Sequence, residues 1–330
     1  MKKFRFTRNL ELFSKYLAYN QLLVTFVDGM GSGNMKSHAP ASPKVSVLMM
    51  SYNHADNLAR AIDSVLCQKV NFDYEIIVHD DSSTDRSQDV LEQFSEQYPG
   101  KFKLILRKTN IYREGGFAPI FRSMVEGASG KYLATIECDD FWTDDNKLQK
   151  QVDLLEAHPE ASLCAGGYVE CFVTRDGKPR IVSRRRIIYR ENGKLLTDGY
   201  GQEKYYFFTE KEWSRRWLTK TLTMVFRVEA LGRLLDDLPK YNCYRDIHLC
   251  YYLLQEGCGI YLPQVLGTYQ IYENGVFGAR TRQAQRHQHE KCYRELWRVL
   301  RQPILLRLLI EKRLSLILHG VVDGQLNIPG

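Results

Sequence analysis

The chain has 330 residues, of which 44% are apolar and 26% charged. This composition excludes a disordered, collagen-like or small disulfide-stapled protein, and the length allows one large domain or two modest ones. The net charge of +7 is uneven, because residues 1–165 sum to −3 and residues 166–330 to +10. A basic second half suits nucleic acid, an anionic membrane or a phosphorylated substrate, and charge alone leaves this choice open.

Hydropathy and cysteine spacing narrow the class further. No apolar run approaches the roughly 18 residues that a membrane-spanning helix needs. The eight cysteines form no C-x-x-C pair and no zinc-finger pattern, so we expect buried thiols in a reducing compartment rather than metal ligands. Charged residues interrupt the apolar stretch near the N-terminus, which disfavours a signal peptide and predicts a cytoplasmic protein.

The predicted elements begin with an amphipathic helix over residues 9–27 and a Gly/Ser/Ala/Pro-rich linker up to residue 43. Short apolar runs then alternate with helical patterns. The predicted strands are residues 45–50, 75–78, 102–106 and 132–136. This rhythm favours an α/β fold with a mostly parallel central sheet and helices on both faces.

The second half is less regular. We predict a hairpin over residues 169–182, a helix over 246–255, strands over 259–262 and 266–272, and a basic helical tail. The predicted organisation has four parts. They are an N-terminal helix and linker (1–43), two halves of the main domain (44–165 and 166–279) and the tail (280–330).

Polar clusters follow three of the predicted strands. They are Ser51–Asn53, Asp80–Asp85 and Asp139-Asp140. In open parallel sheets ligands bind beyond the carboxyl ends of the strands, so these clusters are expected to form one site. The chain has no G-x-G-x-x-G after the first strand and no G-x-x-x-x-G-K-[ST] loop, which disfavours a dinucleotide fold and a P-loop.

Asp139 and Asp140 follow a buried strand, and Glu137 lies two residues earlier. Adjacent carboxylates raise each other's pKa unless a cation is present. A divalent ion such as Mg²⁺ or Mn²⁺, held by carboxylates and substrate phosphates, would relieve this repulsion. A solvated acidic cluster before a helix fits the same residues, so the residues alone leave both interpretations open.

Three stretches together resemble the family-2 inverting glycosyltransferases of GT-A fold. They are Val45–Asn53, Glu75–Asp85, and Glu137–Asp144 with Lys147–Gln151. Their order and separation also match. The resemblance implies a GT-A type α/β fold and a nucleotide-sugar donor, usually a UDP-sugar.

The resemblance also implies roles for single residues on the donor side. Ser51, Tyr52 and Asn53 would line the base and ribose pocket, and Asp81 would accept a hydrogen bond from uracil. Asp140 would be a ligand of Mn²⁺ or Mg²⁺, and Asp139 would bind the metal or the sugar. Three positions depart from the family pattern. They are Glu137 in place of an aspartate, Ser82 in place of a glycine, and Tyr272 in place of a histidine ligand.

The acceptor side and two further side chains complete the predicted site. Tyr244-Arg245-Asp246 is similar to the segment that holds the family's catalytic base, so Asp246 is assigned that role, although propensity alone reads it as a helix cap. Arg113 is expected to contact the donor phosphates and Trp142 to pack against the sugar ring. A solvated charge and a core tryptophan are the respective alternatives.

The tail combines an apolar face with many arginines. Cys292, Tyr293, Leu296, Trp297 and Leu300 share one helical face. This pattern fits an anionic membrane surface at the inner face of the cell membrane, and it fits equally a helix packed on the domain. No nucleic-acid-binding motif is present.

The expected function is that of a metal-dependent inverting glycosyltransferase of bacterial surface polysaccharide or lipopolysaccharide synthesis, with a glycan or lipid-linked glycan acceptor. The alternatives are a nucleotidyltransferase on a related fold and a non-catalytic relative that binds a membrane or a partner.

Overall fold

The computed structural model describes residues 42–174, 179–185, 190–191, 194–195, 205–215, 218–272 and 282–322. The helix predicted over residues 9–27, most of the linker after it and the hairpin turn at Asp176-Gly177 lie outside these residues.

Four parallel strands form the first half of the sheet. They are β1 (Val45–Ser51), β2 (Tyr74–Asp80), β3 (Phe102–Leu106) and β4 (Tyr132–Glu137), in the order β3-β2-β1-β4. The connecting helices are α1 (Ala55–Leu66), α2 (Ser87–Gln97), α3 (Ile111–Gly115) and α4 (Phe117–Gly127). Nearly every residue of β1 and β2 is buried, which explains why these strands are continuous apolar runs in the sequence.

The second half of the sheet mixes strand directions. Its main strands are β5 (Phe141–Trp142), β6 (Ala161–Val173), β7 (Pro179–Arg185), β10 (Tyr206–Phe208), β11 (Val225–Arg227) and β12 (Cys258–Tyr272). A separate pair, β8 (Arg190–Glu191) and β9 (Lys194–Leu195), stands apart from the main sheet. The expectation of a mostly parallel sheet therefore describes the first half of the sheet and not the second.

The path of the sheet continues from β4 through β11, β6 and β12 to β10. Strand β11 is antiparallel to both neighbours, whereas β12 runs parallel to β6 over its whole length. The predicted hairpin is the antiparallel pair β6–β7, and the two strands predicted after residue 258 are one irregular strand. Register shifts between Leu262 and Gly267 account for the apparent break in the sequence pattern.

Helices cover both faces of this sheet, as predicted. The helices of the second half are α5 (Lys147–Ala157), α6 (Glu210–Arg215), α7 (Gly232–Asp237) and α8 (Asp246–Glu256). Alternate residues of β1 pack to opposite sides. Leu48 joins the core under α4 and α8, and Val47 and Met49 join the core under α1, α2 and α5.

The basic tail forms two helices, α9 (Arg282–Leu300) and α10 (Pro303–Val322). Arg301 adopts a left-handed backbone with φ of 55°, and Pro303 begins the second helix, so the chain turns between them. Cys292, Tyr293 and Leu296 are buried, which shows that the apolar face predicted on the tail packs on the domain. Within the described residues no helix has the length and hydropathy needed to cross a membrane.

Candidate active site

The loop after β1 and the loop after β2 are tied together at the carboxyl edge of the sheet. The Asn53 side-chain oxygen accepts a hydrogen bond from the Thr84 N–H at 2.7 Å, and the Asn53 N–H donates to Ser83 Oγ at 2.8 Å. Asn53 has a positive φ of 56°, a conformation that asparagine tolerates better than most residues. The two polar clusters predicted to converge therefore meet.

Asp81 uses both carboxylate oxygens to hold the segment after β3. Its Oδ1 accepts from the Ile111 N–H at 2.7 Å, and its Oδ2 accepts from the Tyr112 N–H at 3.0 Å. Asp81 is also buried, and these two backbone amides are hydrogen-bond partners of its carboxylate. Its contact with a uracil base stays a prediction. Ser82, which replaces the family's glycine, has a φ of 64°, the region in which glycine is favoured.

Tyr52 and Arg113 lie together at the opening beside this segment. Tyr52 is exposed, and the Arg113 guanidinium lies 3.4 Å from the Tyr52 hydroxyl. The structure thus brings two predicted donor-side residues into contact. Their contact with a donor remains untested.

The acidic pair after β4 is held by strand β12. The Gln270 N–H donates to Asp140 Oδ1 at 2.8 Å, and the Gln270 side-chain amide donates to the Asp139 carbonyl oxygen. Arg60 in turn donates to the Gln270 side-chain oxygen at 2.6 Å. The position of both aspartates is therefore set by β12, a strand that the sequence places far from them.

The three carboxylates of this cluster resist ionisation. Burial raises the pKa of Asp139 to about 6. Burial, together with the charges of the neighbouring carboxylates, raises the pKa of Asp140 well above its usual range. The Glu137 side chain is exposed at its surface. Desolvation by the surrounding protein, and then the charge of Asp139, nevertheless raise the pKa of Glu137. Such a cluster is unfavourable without a cation or a proton.

Asp246, which is predicted to be the base on the acceptor side, is the first residue of α8. Its charge contributes to the raised pKa of Glu137, so the two carboxylates lie within electrostatic reach of each other. Asp246 is half-buried, and its Oδ1 accepts only the N–H of the next residue among the contacts of the described chain. The N-cap residue of α8 is Arg245, so Asp246 is not the helix cap that propensity alone predicts.

Lys220 lies between the two sides, and sequence reasoning missed it. Its ammonium is 3.5 Å from the centre of the Tyr269 ring. Burial disfavours the charged form, but acidic neighbours outweigh this effect and raise the pKa of the ammonium. These neighbours include Tyr269, Asp246, Glu137 and Asp140. Lys220 precedes a short turn (Thr221–Thr223) and carries no motif, so the sequence held no signal for it.

His54 is a second missed residue, and it directly follows the predicted Ser51–Asn53 cluster. Its Nε2 lies 3.9 Å from Asp139 Oδ2. Burial lowers the pKa of His54 below its usual value, so the ring is neutral at pH 7. Because His54 directly follows the predicted Ser51–Asn53 cluster, the sequence could have indicated that it belongs to the site.

Several buried polar atoms at this edge of the sheet have no hydrogen-bond partner within the described residues. They include Ser51 Oγ, His54 Nδ1 and Asp139 Oδ1. Buried polar groups normally find partners, so a convergent set of unpaired ones is typical of a ligand site. Asp139 Oδ1 and the raised pKa values of the carboxylates also fit a divalent cation.

The fit to a metal is partial. In the part of the chain that the structure describes, no three His, Cys, Asp or Glu side chains converge as a metal-binding set. Asp139 and Asp140 would therefore hold an ion together with oxygens of the donor phosphates and water, as Mg²⁺ commonly is held. Tyr272, at the position of the family's histidine, donates instead to Asn57 Oδ1 at 2.7 Å.

Trp142 is packed in the core. The residue is 4% exposed, and its indole N–H donates to the Leu222 carbonyl oxygen at 2.7 Å. The Lys147 ammonium lies 4.1 Å from the ring centre, and burial lowers the pKa of this lysine to about 7. This arrangement matches the alternative that Trp142 is a core residue. The contact of Trp142 with a sugar ring stays a prediction.

Comparison with known proteins identifies the family. Residues 46–218, just over half of the chain, match the model of Glycosyl transferase family 2. The chain therefore belongs to glycosyltransferase family 2, as the three motifs predicted.

The relatives include an uncharacterized protein and two named glycosyltransferases. An uncharacterized protein of Mycobacterium tuberculosis is 39% identical over 120 residues, which are 36% of this chain and 34% of that protein. The UDP-Glc:alpha-D-GlcNAc-diphosphoundecaprenol beta-1,3-glucosyltransferase WfgD of Escherichia coli is 33% identical over 111 residues, 34% of this chain and 40% of WfgD. The putative teichuronic acid biosynthesis glycosyltransferase TuaG of Bacillus subtilis is 25% identical, over 78% of this chain and 90% of TuaG. The match spans only about a third of the length of the mycobacterial relative.

Two solved structures share the fold. Staphylococcus aureus TarS in complex with UDP-GlcNAc has a TM-score of 0.55 at 16% identity, covering 82% of this chain and 71% of that one. The mannosyltransferase PcManGT of Pyrobaculum calidifontis, in complex with GDP-Man and Mn²⁺, has a TM-score of 0.52 at 16% identity, covering 92% and 78%. These likenesses confirm the predicted GT-A type α/β fold.

Proposed function

We propose that this protein transfers a sugar from a nucleotide-sugar donor to a hydroxyl group of a glycan acceptor, with inversion at the anomeric carbon. The observation that carries the proposal is electrostatic: Asp246, Glu137 and Asp140 all act on Lys220, beside the acidic pair that β12 holds. A carboxylate able to accept a proton is thus near an acidic pair that could bind a metal-bound diphosphate. Inverting transfer needs both groups and no protein nucleophile.

The donor site comprises the residues at the ends of β1, β2 and β4. Ser51, Tyr52, Asn53 and Asp81 form the nucleotide side, and Arg113 lies at its opening. Ser51 Oγ and Asp139 Oδ1 are unpaired within the described residues. The Ser51 hydroxyl can donate to the ligand or accept from it, and the Asp139 oxygen can accept. A UDP-sugar is the preferred donor class, because WfgD is named for UDP-Glc and TarS was solved with UDP-GlcNAc.

Asp140, with Asp139, would hold Mn²⁺ or Mg²⁺ against the donor phosphates. When bound, the ion neutralises the negative charge that develops on the departing diphosphate. The Gln270 N–H fixes the orientation of Asp140, and Lys220 offsets part of the negative charge of the cluster. These two groups keep the acidic pair in place before the donor enters.

Asp246 removes the proton from the attacking acceptor hydroxyl. The acceptor oxygen forms a bond to the anomeric carbon as the bond from that carbon to the diphosphate oxygen breaks. The nucleoside diphosphate leaves, and the proton stays on Asp246 until solvent removes it. General base catalysis of this kind contributes about 10²–10⁴ in rate.

The acceptor is a lipid-linked glycan of the cell envelope, and the protein works at the inner membrane surface. WfgD is named for a diphosphoundecaprenol-linked acceptor, and TuaG for teichuronic acid biosynthesis. Helix α10 presents exposed apolar side chains that fit such a surface. They are Leu306, Ile310, Leu314 and Ile317. Residues 282–322 hold nine Lys and Arg against three Glu, which suits anionic lipid.

The test is a transfer assay with purified protein, Mn²⁺, a panel of UDP-sugars with GDP-Man, and a polyprenyl-diphosphate-linked sugar. The expected result is a glycosylated lipid, one equivalent of nucleoside diphosphate and an anomeric configuration opposite to that of the donor. Asp246→Asn should abolish product formation, and Asp236→Asn, an exposed carboxylate on α7, should not. Release of pyrophosphate from a nucleoside triphosphate, or retention of configuration, would overturn the proposal.

A further inference from the structure

The backbone of helix α3 contacts Asp81, a residue of the proposed donor site. Asp81 accepts hydrogen bonds from the N–H groups of Ile111 and Tyr112, the first two residues of the helix. Asn110 adds a second connection, because its side-chain amide donates to the Asp81 carbonyl oxygen at 3.0 Å. The position of α3 is therefore fixed by the residue expected to meet the nucleotide base.

The same helix contacts the acceptor side through one side chain. The Arg245 guanidinium donates to the Tyr112 hydroxyl at 2.5 Å and lies 5.5 Å from the centre of the Tyr112 ring. Hydrogen bonds from a charged donor are stronger than neutral ones. Arg245 immediately precedes Asp246 in the chain. This bond therefore anchors the residue next to the proposed base.

Two further contacts make the acceptor-side segment a packed unit. The Arg245 N–H donates to His248 Nδ1 at 3.2 Å, and the Arg245 carbonyl oxygen accepts from the His248 N–H at 2.9 Å. The Tyr244 ring stacks on Phe117 of α4, with ring centres 5.7 Å apart. Movement of α3 and the start of α4 would therefore move the first turn of α8, which begins with Asp246.

We propose that Tyr112 and Arg245 are positioning residues for Asp246, and that they couple the donor pocket at Asp81 to the catalytic base. The role assigned to Asp246 rests on the proposed function, whereas the physical link from Tyr112 to the first turn of α8 does not. Asp81 holds α3 by its two hydrogen bonds with main-chain amides, and α3 holds Arg245 through the Tyr112 hydroxyl. A donor that contacts Asp81 would therefore stabilise the segment that supports the base.

The kinetic test compares Tyr112→Phe with the wild type. Loss of the hydroxyl is expected to lower kcat about tenfold and to leave the donor KM within about twofold, because a small misplacement of a catalytic group is costly. Arg245→Gln should lower kcat to a similar extent, and the double variant should be no slower than the slower single variant. Tyr74→Phe is the matched control, since its hydroxyl bonds to the Val65 carbonyl oxygen away from the cleft.

Hydrogen exchange tests the link without any turnover. Amides of the first turn of α8 should exchange severalfold faster in Tyr112→Phe than in the wild type, and no faster in Tyr74→Phe. Binding of UDP with Mn²⁺ should slow the exchange of these amides in the wild type and have less effect in Tyr112→Phe. Unchanged exchange in Tyr112→Phe would overturn the proposal. Changed exchange in a protein that shows no transfer would support the link and refute the proposed function.

Discussion

The Gln270 N–H donates to Asp140 Oδ1 at 2.8 Å, although the two residues are 130 positions apart in the chain. Gln270 lies on β12, and Asp140 follows β4, so a strand of the second half completes the acidic site of the first half. The position of the acidic pair therefore depends on both halves of the sheet. Strand β12 positions Asp140 by a main-chain bond that does not depend on the identity of residue 270.

The first prediction concerns the base. Asp246→Asn keeps the size of the side chain and an oxygen that can accept from the Ile247 N–H, but it removes the basic carboxylate. We expect kcat to fall by about 10²–10⁴ while the affinity for the donor changes little. Steady-state kinetics with nucleotide binding measured separately checks this. A variant that retains most of its kcat would show that another group takes the proton.

The second prediction concerns pH and the metal-free protein. Burial raises the pKa of Asp139 to about 6, above its unfolded value near 3.9. The folded protein therefore holds more protons than the unfolded chain between these values, so the stability from this group is present below about pH 4 and lost as pH rises through about 6.

The comparison that isolates this effect is Asp139→Asn against the wild type in urea unfolding with a chelator present. The variant should be more stable than the wild type by about 1–2 kcal/mol at pH 8, with a smaller difference at pH 4. Asp236→Asn should show no such dependence. A constant difference between the Asp139 variant and the wild type across this range would contradict the assigned pKa.

The third prediction concerns Lys220, whose charge lowers the pKa of Asp139, Asp140 and Glu137. Lys220→Gln should therefore raise the pH midpoint for binding of nucleoside diphosphate with Mn²⁺ by roughly one unit. Lys69→Gln, an exposed lysine paired with Asp145, serves as the control. An unchanged midpoint in Lys220→Gln would mean that this lysine does not act on the acidic cluster.

The fourth prediction concerns the exposed face of α10. Leu306 and Ile310 are 40% and 49% exposed, and we expect them to insert into an anionic bilayer. Replacing both with serine should weaken co-sedimentation with phosphatidylglycerol vesicles by about tenfold or more. Phe207→Ser removes an apolar side chain of similar exposure on β10 and should have no effect. Equal binding by the double variant and the wild type would remove α10 as the membrane surface.

The sequence predicted well those features that are coded locally. The strands β1, β2 and β4 are short and mostly buried, and β3 is a short, partly buried run. The acidic cluster directly follows β4, so periodicity and the edge rule for parallel sheets were sufficient. The base role of Asp246 stays a prediction that rests on the resemblance to a family segment, because propensity alone predicts a helix cap for this aspartate.

What escaped prediction depends on contacts between distant segments. Lys220 and Gln270 belong to no motif. The place of Gln270 follows from the pairing of β12 with β5, the short strand directly after the acidic pair, and not from any local pattern. The tail shows the same limit, since its apolar pattern fits a membrane and a packed helix alike. The burial of Cys292 and Leu296 shows which face of α9 is packed, and the burial of Leu305 and Leu308 shows the same for α10, whose Leu306 and Ile310 are exposed.

The most direct test of a nucleotide-sugar site at Asp139-Asp140 is thermal unfolding with UDP, GDP, CDP or dTDP, with and without Mn²⁺. A nucleotide at about 100 times its Kd adds about 2.7 kcal/mol, which should raise Tm by about two degrees or more. We predict a rise for one nucleotide that requires Mn²⁺ and is lost in Asp140→Ala. The absence of a rise with any nucleotide, or an equal rise in Asp140→Ala, would contradict the assigned donor site.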